Sequence, residues 1–91
     1  MDDIQKIEIA ANKTRFKLLT LLLKEGESYV TKLGEDLKTE RKTTAFHLQQ
    51  LEKAGLVESK YAIKDNKPVA IRNYKITSSG RRIYDHIISL K

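Results

Sequence analysis

The segment RKTTAFHLQQLEK, residues 41–53, gathers side chains suited to polyanions and base edges. At helical spacing Lys42, Thr43, Phe46, Gln49, Gln50 and Lys53 project from its outward side, with Arg41 at the leading end. Lysine and arginine only donate, which suits phosphates and the acceptors of guanine. A glutamine amide can make two bonds to adenine, and a threonine methyl or an aromatic ring can lie on the thymine methyl. No carboxylate appears until Glu52, towards the far end, whereas a merely solvated helix usually mixes signs to gain i,i+4 pairs. The chemistry implied is recognition of double-stranded DNA, with phosphates fixing register and base edges giving selectivity.

Other chemistries are poorly supplied. The chain has no cysteine, so thiolate metal sites and cysteine nucleophiles are excluded, and a reducing compartment is expected. There are two histidines, no glycine-rich phosphate loop and no pair of carboxylates set apart in an apolar context. Asp85 and His86 adjoin, but neighbours on a helix point to different faces and cannot form a dyad. His47 lies beside an apolar stripe and reads as a packing or phosphate-contacting residue. No catalytic residue, metal site or cofactor is expected, and a chain this short has little spare volume for an effector pocket.

Charge supports the first reading by its placement. The formal net charge is +6 over 91 residues; residues 1–30 hold five basic and five acidic side chains, and the rest holds thirteen against seven. A polyanion-binding surface leaves such an asymmetry, as does a lysine-rich solvated one. The opening residues MDDIQKIEIA are acidic and polar, and no apolar run is long enough to span a bilayer, so a cytoplasmic protein with no membrane partner is expected.

The elements that must hold residues 41–53 follow from periodicity. Ile4, Ile7 and Ala11 predict a short amphipathic helix over 4–11, either a flap on the core or half of a dimer contact. Asn12 or Thr14 caps a helix over 15–24, whose Phe16, Leu18, Leu19, Leu21, Leu22 and Leu23 are apolar nearly all round and make it the core pillar. Gly26 supplies its terminal conformation. Ser28 or Thr31 starts a two-turn helix with Val30, Leu33 and Leu37 inward; Lys38-Thr39-Glu40 connects it to the next, whose buried stripe is Thr44, Leu48 and Leu51. Alternation over 56–63 and 69–76 about Lys64-Asp65-Asn66-Lys67-Pro68 predicts a β-hairpin with a basic, polar tip. Thr77-Ser78-Ser79 caps a last helix over 79–90, with Gly80 a weak spot in its first turn. Its wide stripe of Ile83, Tyr84, Ile87, Ile88 and Leu90 suggests a partner.

Three stretches in this order resemble the winged helix-turn-helix regulators of the ArsR-like and MarR-like type, found in bacteria and archaea. Asn12-Lys13-Thr14-Arg15-Phe16-Lys17-Leu18-Leu19 is similar to an opening N-x-T-R-hydrophobic-x-I-L helix. Residues 43–57 resemble the recognition helix and its Gly-Leu-Val exit. Tyr74-Lys75-Ile76-Thr77-Ser78-Ser79-Gly80-Arg81 resembles the Y-x-L-T-x-x-G-R segment that closes the wing. The resemblance covers residues 12–81. It implies an α+β, mostly α, single winged-helix domain over 1–91. The helix-turn-helix would span about 30–54, a two-stranded wing about 57–76 and a dimerising C-terminal helix about 78–90.

The function implied is that of a homodimeric, sequence-specific transcriptional regulator acting as a repressor, not an enzyme. Arg41, Lys42, Thr43, Phe46, Gln49 and Gln50 would meet the major groove, and Lys64, Asn66 and Lys67 would meet the backbone through the wing. Ile4, Ile7, Ile83, Tyr84, Ile87 and Ile88 would form the dimer contact. The metal-sensing versions of the family use Cys on the first helix of the pair, or Asp and His on the last. Here residues 28–37 lack Cys and His, and no second ligand follows Asp85-His86 at the needed spacing. Two other readings fit the same fold: a sequence-tolerant architectural DNA-binding protein, and a winged-helix module that binds another protein.

Overall fold

The computed structural model describes residues 1–63 and 70–90. Its elements run α1 (Asp3–Ala11), α2 (Lys13–Glu25), β1 (Ser28–Tyr29), α3 (Val30–Leu37), α4 (Arg41–Lys53), β2 (Val57–Ile63), β3 (Ala70–Ile76) and α5 (Ser78–Ser89). This is the expected mostly helical winged helix-turn-helix architecture.

Each boundary has a local cause. Asp2 accepts from the Gln5 amide while the Gln5 side chain accepts from the Asp2 amide, a reciprocal cap for α1. Asn12 Oδ1 accepts from the Arg15 amide at 3.1 Å and starts α2 two residues before the position expected from periodicity. Gly26 and Gly55 close α2 and the exit of α4 with positive φ. Thr77 Oγ1 accepts from the Gly80 amide at 2.9 Å and caps α5.

The α2 pillar is confirmed: Leu18, Leu19 and Leu22 are fully buried, joined by Leu33 of α3, Leu48 and Leu51 of α4, Leu56, Val57, Tyr74 and Ile83. The inward side of α1 is rotated from expectation. Ala10 is buried and Ile7 half-buried, while Ile4 and Ala11 are exposed.

The sheet holds one strand more than the expected hairpin. β2 and β3 pair antiparallel from Val57↔Ile76 to Ile63↔Ala70, and β1 adds to the far side of β3 through Ser28↔Tyr74 and Tyr29↔Asn73. Ser28 is therefore a strand residue and not a helix cap. α3 begins after Tyr29 without any side-chain capping bond, and Ser28 Oγ is buried with no hydrogen-bond partner among the described residues. Two residues carry too little alternation to be seen as a strand.

The last helix also differs from its reading. Ile83 is a residue of the chain's own core, 1% exposed, and so does not face a partner. Tyr84 stacks on Phe16 of α2, with ring centroids 4.6 Å apart, and its hydroxyl lies 2.9 Å from Thr20 Oγ1. Ile87 packs half-buried on the core. What remains outward is Ile88 on α5 and Leu90 just beyond its end, with Ile4 on α1. At the surface Arg82 bridges the two terminal helices, its Nη1 and Nη2 donating to the exposed Asp3 carboxylate at 3.0 and 3.2 Å.

Candidate nucleic-acid interface

The connection between α3 and α4 is tight because Lys38 takes a left-handed conformation (φ 56°), which lets the Thr39 amide donate back to Gly34 O at 2.9 Å. Thr44 is then fully buried between the two helices, its hydroxyl donating to Glu40 O at 2.9 Å in place of a solvent bond. Thr44, Leu48 and Leu51 bury one side of α4, as their spacing required. The opposite side is left to solvent.

That side presents Lys42, Thr43, Phe46, Gln49, Gln50 and Lys53 together, while Arg41, at the first position of α4, borders the α3–α4 connection beside Lys38 and Thr39. Arg41, Lys42, Thr43, Phe46, Gln49 and Lys53 are exposed and Gln50 is half-buried. No side-chain hydrogen bond or ion pair ties Arg41, Lys42, Gln49, Gln50 or Lys53 to another described residue. Phe46 rests edge-on against His47, with centroids 5.4 Å apart, and makes no ring contact with a described residue of the wing. Lys64, Asn66 and Lys67 lie outside the described residues.

The two flanks of α4 are held differently. On one, Arg15 spans from α2: its Nε donates to Ile9 O at 2.7 Å and its Nη1 lies 3.1 Å from His47 Nδ1. Arginine has no lone pair to offer, so Nδ1 is the acceptor and the neutral imidazole carries its proton on Nε2. Burial first, and the neighbouring guanidinium second, hold His47 below the ordinary histidine range. His47 is thus a packing residue with an orientation fixed from α2.

On the other flank the wing is tied to the helix through residues that sequence reasoning passed over. Ser59 Oγ of β2 donates to Glu52 Oε2 at 2.7 Å, and Arg72 of β3 donates from Nε to Ser59 Oγ at 2.8 Å and from Nη2 to Glu52 Oε1 at 3.3 Å. Period 2 puts Ser59 and Tyr61 on one side of β2, and the hairpin register pairs Tyr74 and Arg72 with them across the ladder. Between α4 and the wing lies an open cleft of about 510 Å³ lined by Ala45, Gln49, Glu52, Lys53, Arg72 and Tyr74.

The sequence profile described as "Bacterial regulatory protein, arsR family" matches residues 12–59, more than half of the chain and the part that holds α2 to α4. The chain belongs to the arsR family. Among solved structures, this arsR-family chain is similar to a protein described as a "possible transcriptional regulator for arsenical resistance", at 30% identity over 92% of this chain and 80% of that one, with a TM-score of 0.72. It is similar to a transcriptional regulator homologue from Pyrococcus horikoshii OT3, at 22% identity over 98% and 89% of the two chains, with a TM-score of 0.80. The third is a homodimeric winged helix-turn-helix DNA-binding domain from Mycobacterium bovis, at 23% identity over 98% and 78%, with a TM-score of 0.78. No curated protein sequence matches significantly. The family is one of transcriptional regulators and not of enzymes. Among the described residues, no helix is long and apolar enough to cross a membrane.

Proposed function

We propose that this arsR-family protein is a homodimeric, sequence-specific repressor that lays α4 in the major groove of double-stranded DNA and rests its wing on the flanking backbone. The observation that carries the reading is the exposed side of α4, where cations, a hydroxyl, an aromatic ring and two amides are presented without an acidic side chain among them, the cations and amides with no hydrogen bond or ion pair to another described residue. Arg41, Lys42 and Lys53 supply phosphate or guanine contacts, Gln49 and Gln50 read base edges, and Thr43 and Phe46 meet thymine methyls. Lys64, Asn66 and Lys67, between β2 and β3 in sequence, contact flanking phosphates.

The dimer is formed by the outer sides of α1 and α5, through Ile4 and Ile88, with Ile7, Tyr84 and Ile87 behind them. The Mycobacterium bovis relative is homodimeric, which supports this assembly. Two copies then place two recognition helices at half-sites about one helical turn apart. Repression follows by occlusion of the site. One similar protein is described as a possible regulator for arsenical resistance; that description does not transfer by chemistry, because soft metalloid binding needs thiolates and this chain has no cysteine.

The test is selection of bound sequences from random DNA, with sizing of the free protein. Recovery of a two-fold symmetric motif by a dimer is the expected result. Recovery of no motif, with salt-dependent binding to all duplexes, would point to the architectural reading; absence of salt-dependent duplex binding would point to a protein-interaction module.

A further inference from the structure

We propose that Arg72 is a phosphate-binding residue of the wing and that Glu52, on the recognition helix, competes with DNA for it and so sets the ratio of specific to random binding. This rests on the DNA-binding reading above and assigns a role to two residues outside its contact set.

The geometry is that of an arginine fixed in place with one edge left over. The guanidinium of Arg72 lies 5.7 Å from the ring centroids of both Tyr61 and Tyr74. Its Nε is spent on Ser59 Oγ and its Nη2 on Glu52 Oε1, while Nη1 makes no hydrogen bond to any described residue. Aromatic contact and two acceptors hold the plane, so little side-chain freedom is lost when the free edge takes a further acceptor. Arg72 lines the cleft between α4 and the wing together with Gln49 and Lys53.

Glu52 opposes capture of a phosphate there. It neutralises Arg72 and repels an incoming phosphate, leaving Lys53 as the uncompensated charge among the residues lining the cleft. The pair is still 46% and 31% exposed, and ion pairs so open to water are weak. A phosphate oxygen can therefore displace the carboxylate once the backbone is pressed into the cleft. Gln49 stands one turn before Glu52, so base contacts that seat α4 also bring the strand to Arg72. On random DNA no such seating occurs and Glu52 keeps the arginine.

The test is a salt titration of binding to a random-sequence duplex and to the site recovered by the selection above, by the wild-type chain, Glu52→Gln and Arg72→Gln, with thermal melts of each. Glutamine at 52 keeps an oxygen for Ser59 and Arg72 but removes the charge. Glu52→Gln is expected to bind random DNA severalfold more tightly, with a log–log salt slope steeper by about one. Arg72→Gln leaves Glu52 unneutralised beside the cleft and is expected to bind random DNA more weakly, and on the selected site to show a slope shallower by about one. Opposite signs separate the proposal from a structural role, which would weaken both. Wild-type slope and affinity in Glu52→Gln, or weaker binding by it, would overturn the proposal even if Arg72→Gln fails to fold. Absence of salt-dependent duplex binding by the wild-type chain would instead remove the DNA-binding reading itself.

Discussion

Gly80, in the first turn of α5, lies against the carbonyl of Leu56 so closely that a β-carbon built on it would overlap that oxygen. The same carbonyl accepts from the Thr77 amide at 3.0 Å, and Thr77 Oγ1 donates to Gly55 O at 2.7 Å. The exit of the recognition helix and the start of the last helix are therefore locked at one point. The glycine read from sequence as a weak spot is what permits the approach.

Gly80→Ala is expected to destabilise the fold by about 1–3 kcal/mol or more, because neither the Leu56 backbone nor Ile76 can withdraw cheaply. Without the overlap the sign would reverse, since alanine is favoured over glycine inside a helix by about 1 kcal/mol. Chemical denaturation decides between the two.

Ser28→Ala tests the correction at β1. A helix cap replaced by alanine would cost about 1 kcal/mol. A buried hydroxyl with no partner costs stability while it is present, so its removal is expected to leave the midpoint of denaturation unchanged or raise it. A clear loss of stability would restore the capping role.

His47 sets a pH dependence. Its ordinary value is 6.5, and burial and Arg15 depress it in the folded chain. As pH falls through the unfolded value, the unfolded state takes up the proton first, so stability declines with acidity and levels off below the folded value. Above the unfolded value this contribution is constant. His47→Gln, which cannot titrate, is expected to flatten that decline in melts taken across the window. An unchanged profile would mean that His47 is not its source.

Ile88 is 44% exposed on α5, and Ile4 is exposed on α1. Ile88→Glu is expected to shift the sedimentation of a dimer towards monomer while the monomer retains its helical circular dichroism. A wild-type chain that is monomeric at the outset would remove the dimer.

Periodicity made most of this fold legible, because five helices and a hairpin each carry several turns or alternations of pattern. β1 was not legible: two residues hold no period, and their pairing to β3 crosses more than forty positions of sequence. The exposed side of α4 was readable because residue type and helical angle together determine it. The wing's link to α4 was not, since Ser59, Glu52 and Arg72 meet only after the hairpin register and the helix position are both set. Ile83 was misassigned for a related reason. A wide apolar stripe does not say which part faces inward, and the Phe16–Tyr84 stack settles that for α5.

Base reading by α4 is tested by Gln49→Ala. Its affinity is measured at one salt concentration for the selected site and for a scrambled duplex. The expected result is a loss of about 1–3 kcal/mol on the selected site, relaxed preference at one base position and little change on scrambled DNA. Equal loss on both duplexes would contradict a base-reading role.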